Sequence, residues 1–223
     1  MEVLFSGPQG LREGIMKPNP GPGKFLVLEG LDGAGTTTQA HLLGKRLETR
    51  GAVWVTWEPS DRPAGLLIRR VLKGEIVTDP RALALLFAAD RLDHIYGPGG
   101  VVERLRQGVN VVCDRYYLSS LAYQTLDASF TWVRGINSRA LRPDLTLFLE
   151  VSVDTCLERI GARQGARKEL FEREEALQRV RASYYRAMHV LGRRETIQVL
   201  DGSRSIAAVA DAVWEKALGL LEN

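Results

Sequence analysis

The sequence predicts an α/β fold of three layers: a five-stranded parallel sheet with helices on both faces. Three observations predict it. Five short runs rich in Val, Leu, Ile and Phe recur along the chain, separated by segments with helical apolar spacing. These runs are apolar at nearly every position, as strands buried on both faces must be. Strands that alternate with helices also leave room for the crossovers that parallel pairing needs, and no internal repeat competes with this pattern. With 223 residues the chain can bury the sizeable core of one such domain.

The elements follow in order. Residues 1–23 carry Gly7, Pro8, Gly10, Pro18, Pro20, Gly21, Pro22 and Gly23 without periodicity. They read as a flexible leader, with an engineered origin open for part of residues 1–8. The domain proper, 24–223, begins with an apolar strand from Lys24 to Glu29 that runs into a glycine. Thr38 to Arg50 places Gln39, Ala40, Leu42, Leu43 and Leu47 at helical spacing and stops at Gly51. Ala52 to Thr56 is a second strand, and Arg62 to Leu72 a short helix ending near Gly74. Asp79 and Pro80 open a long helix that contains Ala82, Leu85, Leu86, Ala89 and Leu92. Asn110 to Asp114 is the third strand, followed by a helix from Tyr116 to about Tyr123. The fourth strand is Asp144 to Val151; helices then start at Asp154 and at Glu172. Thr196 to Leu200 is the fifth strand. Ser203 is placed to cap a last helix whose Ile206, Val209, Ala210, Val213, Ala217 and Leu220 form one apolar face.

Composition narrows the function classes. The net charge of +3 is mild, and no Lys/Arg tract interleaves with aromatics, so nucleic acid is not indicated as a partner. The two cysteines, Cys113 and Cys156, fit no metal spacing and suit reduced thiols in a cytoplasm. No apolar run approaches the roughly 18 residues of a membrane span, and no secretory signal pattern is present.

The informative segment lies between Gly30 and Thr37. Gly30, Leu31, Asp32, Gly33, Ala34, Gly35, Thr36 and Thr37 follow the phosphate-binding (P-loop) pattern of Gly, four residues, Gly, then Lys and Ser or Thr. Thr36 stands where the Lys belongs. Gly33 and Gly35 can adopt backbone angles that turn successive N–H groups inward around phosphate oxygens. The helix that continues through Thr38 adds its positive end to the same anion site. Thr37 keeps the hydroxyl that ligates Mg²⁺ in such loops. The absent Lys normally meets the charge that develops on the β- and γ-phosphates. A hydrogen bond to a charged group contributes roughly 1.5–3 kcal/mol, so an uncompensated loss would slow transfer by about one to two decades.

Ligands of open parallel sheets sit beyond the carboxyl ends of the strands. Asp114, Arg115 and Tyr116 follow the third strand: Asp114 could hold a metal shell and Arg115 could fork onto a phosphate, or the pair could be a plain strand-end ion pair. Phe87 and Arg91, four apart, project from one face of the long helix and could stack a base while gripping its edge. Phe87 taken alone reads more readily as core than as a ligand contact. Trp57, Glu58 and Pro59 follow the second strand, as a site wall or as a simple turn.

Together these segments resemble thymidylate kinases, of the nucleoside monophosphate kinase superfamily, in the bacterial form. That family's loop reads Gly-x-Asp-Gly-x-Gly-Lys-Thr-Thr-Gln, against the stretch from Gly30 to Gln39 here. Its Leu-Phe-x-Ala-Asp-Arg segment is similar to Leu86 through Arg91. Its Asp-Arg-Tyr segment, with Ser-Ser-x-Ala-Tyr-Gln after it, is similar to Asp114 through Gln124. Pro143 to Leu149 and Glu58-Pro59 match two further segments. The resemblance covers roughly Lys24 to the C-terminus. It implies ATP as co-substrate with Mg²⁺, dTMP as acceptor, and a homodimer. Phe87 would stack on thymine and Arg91 would reach the base edge or acceptor phosphate. Arg115 would bind that phosphate, with Asp114 and Thr37 near the metal. Ser119, Ser120, Tyr123 and Gln124 would line the sugar and base pocket, with Glu58 and Pro59 in its wall. Asp32 would contact the acceptor and help to organise the metal.

The chain departs from the family at Thr36, at Trp57 where bacterial members often carry Arg, and in the stretch Thr125 to Trp132 after Gln124. The stretch from Arg159 to Arg173, with a segment at about 161–172 at its centre, is similar to the family's mobile lid. Its Arg163 and Arg167, with Lys168 and Arg173 nearby, are catalytic candidates for the charge that the loop lacks, since an arginine supplied in cis can contribute about a thousandfold in phosphoryl transfer. A solvated helix face is the plainer reading of the same residues. Two other functions stay open: a kinase for another nucleoside monophosphate, and a nucleotide-binding regulatory protein that has lost transfer activity with its Lys. A GTPase switch is disfavoured because the chain has no Asn-Lys-x-Asp segment.

Overall fold

The structure, a computed structural model, describes residues 16–222 apart from 165–169 and 193; the side chains of 162–164 and 170–173 are also outside the description. Five strands, β1 (Phe25–Gly30), β2 (Val53–Trp57), β3 (Asn110–Asp114), β4 (Leu145–Glu150) and β5 (Ile197–Asp201), form one sheet in the order β2-β3-β1-β4-β5. Every pairing is parallel. All six residues of β1 are buried, because β1 is the central strand with helices over both faces. Around it lie α1 (Thr36–Leu47), α2 (Pro63–Leu72), α3 (Pro80–Tyr96), α4 (Val101–Arg106), α5 (Tyr117–Tyr123), α6 (Phe130–Ile136), α7 (Val153–Gln164), α8 (Leu170–Leu191) and α9 (Ile206–Leu221). The five expected strands are all present, with no boundary moved by more than one residue.

Three features differ from the sequence expectation. The helices α4 and α6 are short, six and seven residues, too brief for their periodicity to stand out. The cap of α9 is Ser205, whose hydroxyl accepts from the Ala208 N–H at 3.3 Å. Ser203 is instead spent on Asp201, to which it donates from both N–H (2.9 Å) and hydroxyl (2.5 Å). Finally, packed chain begins well before Lys24. Met16 joins the core, Lys17 bridges Leu141, and the Asn19 amide donates to Asp144 Oδ2 at 2.7 Å. A Cβ on Gly21 or Gly23 would lie 2.2 Å from the Leu105 or Val109 carbonyl oxygen. Gly21 and Gly23 stand where two backbones nearly touch. Of the expected leader, residues 1–15 lie outside the described part.

Because the strands run parallel, the carboxyl ends of β1, β2 and β3 lie on one rim. Gly30 leads into the glycine loop, Trp57 into the Glu58-Pro59 turn, and Asp114 into Arg115. The Glu58–Pro59 peptide is cis. Two cavities open along this rim.

Candidate functional site

The loop after β1 has the backbone that its glycines allow. Gly33 and Gly35 hold φ at 87° and 96°, the left-handed region. A Cβ at Gly33 would also stand 2.6 Å from the Cys156 carbonyl of α7, whereas at Gly35 it would meet nothing. Leu31 and Ala34 turn their side chains into the core, and the Ala34 N–H closes back onto the Leu31 carbonyl at 3.0 Å. The helix α1 starts at Thr36 without a side-chain cap, so its first N–H groups remain for an anion. Behind the loop, Arg159 of α7 donates to the carbonyls of Gly33 and Ala34, both at 3.4 Å. That contact holds the carbonyls outward and the amides toward the cavity.

In front of the loop is a cavity of about 650 Å³. Asp32, Gly33, Thr36, Thr37, Thr38 and Arg115 form its polar end, and Leu157, Ile160, Leu177 and Val180 its apolar side. A polar end for phosphates beside an apolar slot suits a nucleotide. Thr37 Oγ1 donates to Asp114 Oδ2 at 2.5 Å, while Asp114 Oδ1 is buried without a partner. No cluster of three His, Cys, Asp or Glu occurs among the described residues. A cation here would therefore take one carboxylate, one hydroxyl and oxygens brought by the ligand, as Mg²⁺ does at phosphates. The free oxygen of Asp114 fits that role.

The second cavity, about 560 Å³, is where the sequence-named residues meet. Glu58, Pro59, Phe87, Arg91, Asp114, Arg115, Ser119, Ser120, Tyr123 and Gln124 all line it, with Asp32 and Thr37 closing it from the loop side. Phe87 and Arg91 reach it together because they are one helical turn apart on α3. Three lining residues were missed, His41, Arg69 and Leu72, and Tyr116 was named only as the neighbour of Arg115. Arg69 is there because Gly65, one turn earlier on α2, packs against the turn after β2, where a Cβ would meet the Ser60 carbonyl at 2.1 Å. Its Nη2 donates to the Pro59 carbonyl at 2.5 Å while its Nε is buried without a partner. Gln124 Oε1 is likewise a buried acceptor without a donor.

Arg91 is not a free arm. Its side chain is 2% exposed and pairs with Glu58, 3% exposed, at 2.7 Å. It also donates to Ser120 Oγ at 3.1 Å and to Asn137 Oδ1, and lies over the Tyr116 ring. His94 completes the cluster, 3.1 Å from Glu58 and 2.8 Å from Thr56 Oγ1. One guanidinium thus forms a charged, fixed wall of the cavity, and Glu58 is an ion-pair partner rather than a simple turn residue.

Arg115 sits where the two cavities meet. It is the one described residue outside glycine with a left-handed backbone, φ 70°. That conformation turns its side chain back over the loop. One terminal nitrogen donates to the Gly30 carbonyl and, at 3.0 Å, to Tyr184 Oη; the other pairs with Asp32 at 2.8 Å. Tyr123 Oη accepts from the Asp32 N–H at 3.2 Å, and burial pushes its phenol well above the ordinary value, so it stays neutral. The candidate lid arginines cannot be placed in this geometry. Arg163 and Arg173 fall among the side chains, and Arg167 and Lys168 among the residues, that lie outside the description.

An anion cradle of main-chain amides and an arginine-lined aromatic cavity, sharing Arg115 across one sheet rim, define a P-loop phosphotransferase. The chain belongs to the thymidylate kinase family, whose profile matches residues 28–213. It is 37% identical over 188 residues to a putative thymidylate kinase of Treponema pallidum, covering 79% of this chain and 90% of the relative. A probable thymidylate kinase of Methanocaldococcus jannaschii is 37% identical over 202 residues, 89% of this chain and 96% of the relative. One of Pyrococcus abyssi reaches 44% over 169 residues, 73% and 81% of the two chains.

Proposed function

We propose that this protein transfers the γ-phosphoryl group of ATP to dTMP, giving ADP and dTDP. The observation that carries the reading is that the two cavities share Asp32, Thr37, Arg115 and Tyr123, so occupants of both would meet at those residues. ATP takes the loop cavity, with its phosphates on the amides of Gly33 to Thr38. dTMP takes the other, its base on Phe87, its sugar beside Tyr123, and its phosphate toward Arg115 with Arg69 in support. Arg91 walls the base edge, and the open acceptor on Gln124 suits a donor from the ligand.

The acceptor phosphate is already anionic near neutral pH, so no protein nucleophile is required. Its oxygen forms a bond to the γ-phosphorus as the bond to the bridging β-oxygen breaks, and ADP leaves. The protein contributes positioning and charge. Arg115 lies on the line between donor and acceptor, and Asp32 keeps its guanidinium turned to the loop. Thr37 and Asp114 would hold Mg²⁺, which when bound offsets phosphate charge. Arg163 or Arg167 of the lid would supply the cation that Thr36 does not.

Two exposed apolar side chains, Leu66 on α2 and Leu85 on α3, support a homodimer through this helix pair. No described helix is long and apolar enough to cross a membrane, and both buried cysteines are free, which suits a cytoplasmic protein.

The test is ADP release in the presence of ATP, Mg²⁺ and a panel of nucleoside monophosphates. Turnover should be greatest with dTMP. Greater turnover with another acceptor would reassign the substrate. ATP binding without acceptor-dependent release would favour the regulatory reading.

A further inference from the structure

Glu29 lies outside the lining of both cavities, yet it is the most heavily bonded carboxylate beside them. It is fully buried at the end of β1, next to the first loop glycine. Oε1 accepts the N–H groups of Tyr116 at 2.9 Å and Ser119 at 3.1 Å, which belong to the start of α5. Oε2 accepts the hydroxyls of Ser119 at 2.5 Å and Tyr184 at 3.1 Å. The same Tyr184 oxygen accepts from Arg115 at 3.0 Å, and Arg115 also donates to the carbonyl of Gly30, the residue after Glu29.

An apolar side chain would fill this space without the cost of burying a carboxylate, so packing alone does not call for Glu. The four donors do have a common direction. Two fix the first turn of the helix that carries Ser119, Ser120 and Tyr123, and one fixes the hydroxyl against which Arg115 rests. Charged and titratable groups reach Glu29 from each neighbouring element: Cys113 and Arg115 from β3 and its end, Tyr117 from α5, and Tyr184 from α8. On the β4 side its register partner is the uncharged Phe148.

We propose that Glu29 is a positioning residue for phosphoryl transfer, locking the start of α5 and, through Tyr184, the guanidinium of Arg115 to the glycine loop. The inference rests on the phosphoryl-transfer reading above. Donor and acceptor cavities are then held at one separation by a side chain that touches neither ligand. Burial pushes the Glu29 carboxyl up to about 7, with the Ser119 hydroxyl and the Arg115 charge working against it, so the lock is in its charged form on the alkaline side of neutrality. A protonated Oε2 would donate to the Ser119 or Tyr184 hydroxyl instead of accepting from it, which reverses one contact of the lock.

The experiment compares wild type, Glu29→Gln, Tyr184→Phe and the double variant in the full chain, with thermal unfolding of each as a control. Tyr184→Phe keeps the ring and removes only the hydroxyl link, so it decides the matter if Glu29→Gln does not fold. Each single variant should lose about tenfold or more in kcat, with both KM values within about threefold of wild type, as expected for lost orientation. The double variant should be no worse than Glu29→Gln, because both changes break one chain. Raised KM with unchanged kcat, or losses that multiply, would overturn the proposal. A wild type without dTMP-dependent ADP release would remove the reading beneath it, a different and separable outcome.

Discussion

Arg91→Met tests whether the acceptor wall is a buried ion-pair cluster. Arg91 and Glu58 are 2% and 3% exposed, and among the described residues the side-chain partners of Glu58 are Arg91 and His94. Breaking a buried pair by removing one member leaves an uncompensated charge and costs about 3–5 kcal/mol. For a chain of this size each kcal/mol moves Tm by roughly 2–4 °C, so Arg91→Met should melt about 6–20 °C below wild type. Adding Glu58→Gln removes the orphaned charge while keeping a side chain that can reach His94. The double variant should therefore recover part of the loss, with a coupling of about 1–3 kcal/mol. Thermal and urea unfolding followed by circular dichroism measure both. A single variant within about 2 °C of wild type, or a double variant whose loss is the plain sum, would refute the reasoning.

The other predictions concern the loop, the base and the pH. Thr36→Lys should raise kcat about tenfold if the lid leaves the loop's charge unmet, and leave it unchanged if Arg163 or Arg167 already supplies it; Arg167→Ala in each background separates the two cases. Phe87→Ala should raise KM for dTMP by about tenfold, from roughly 1–3 kcal/mol of lost stacking, with KM for ATP unchanged; equal effects on both would remove Phe87 from the acceptor. Glu29 makes stability depend on pH. Burial raises its carboxyl from 4.5 to about 7, so between those values the folded protein keeps a proton that the unfolded chain has released. Its contribution is full below about 4.5 and is lost as pH rises through about 7, about 3 kcal/mol in all at 1.36 kcal/mol per pH unit. The urea midpoint of wild type should fall over this window more steeply than that of Glu29→Gln, and parallel curves would exclude the titration.

Much of the molecule was legible in the chain because its three inner strands are buried on both faces and written as nearly unbroken apolar runs. The glycine loop was legible for a similar reason: its chemistry is local, carried by backbone angles that Gly33 and Gly35 alone allow. Phe87 with Arg91, and Asp114 with Arg115, could be picked out as polar or aromatic groups at strand ends or one helical turn apart. What adjacency cannot show is which of these side chains are already spoken for. Arg91 looked free and is locked to Glu58, 33 positions away. Glu29 looked like the last residue of a strand and is the junction of α5, α8 and Arg115. Arg69 and His41 carried no pattern, and Gly21 and Gly23 mark close backbone contact rather than freedom. Local sequence determined the strands, the loop and the identity of the candidate ligand groups, since backbone preference and apolar period act over a few residues. Only the folded sheet decided their partners, exposure and charge, because those depend on groups that the parallel crossovers bring together from distant parts of the chain.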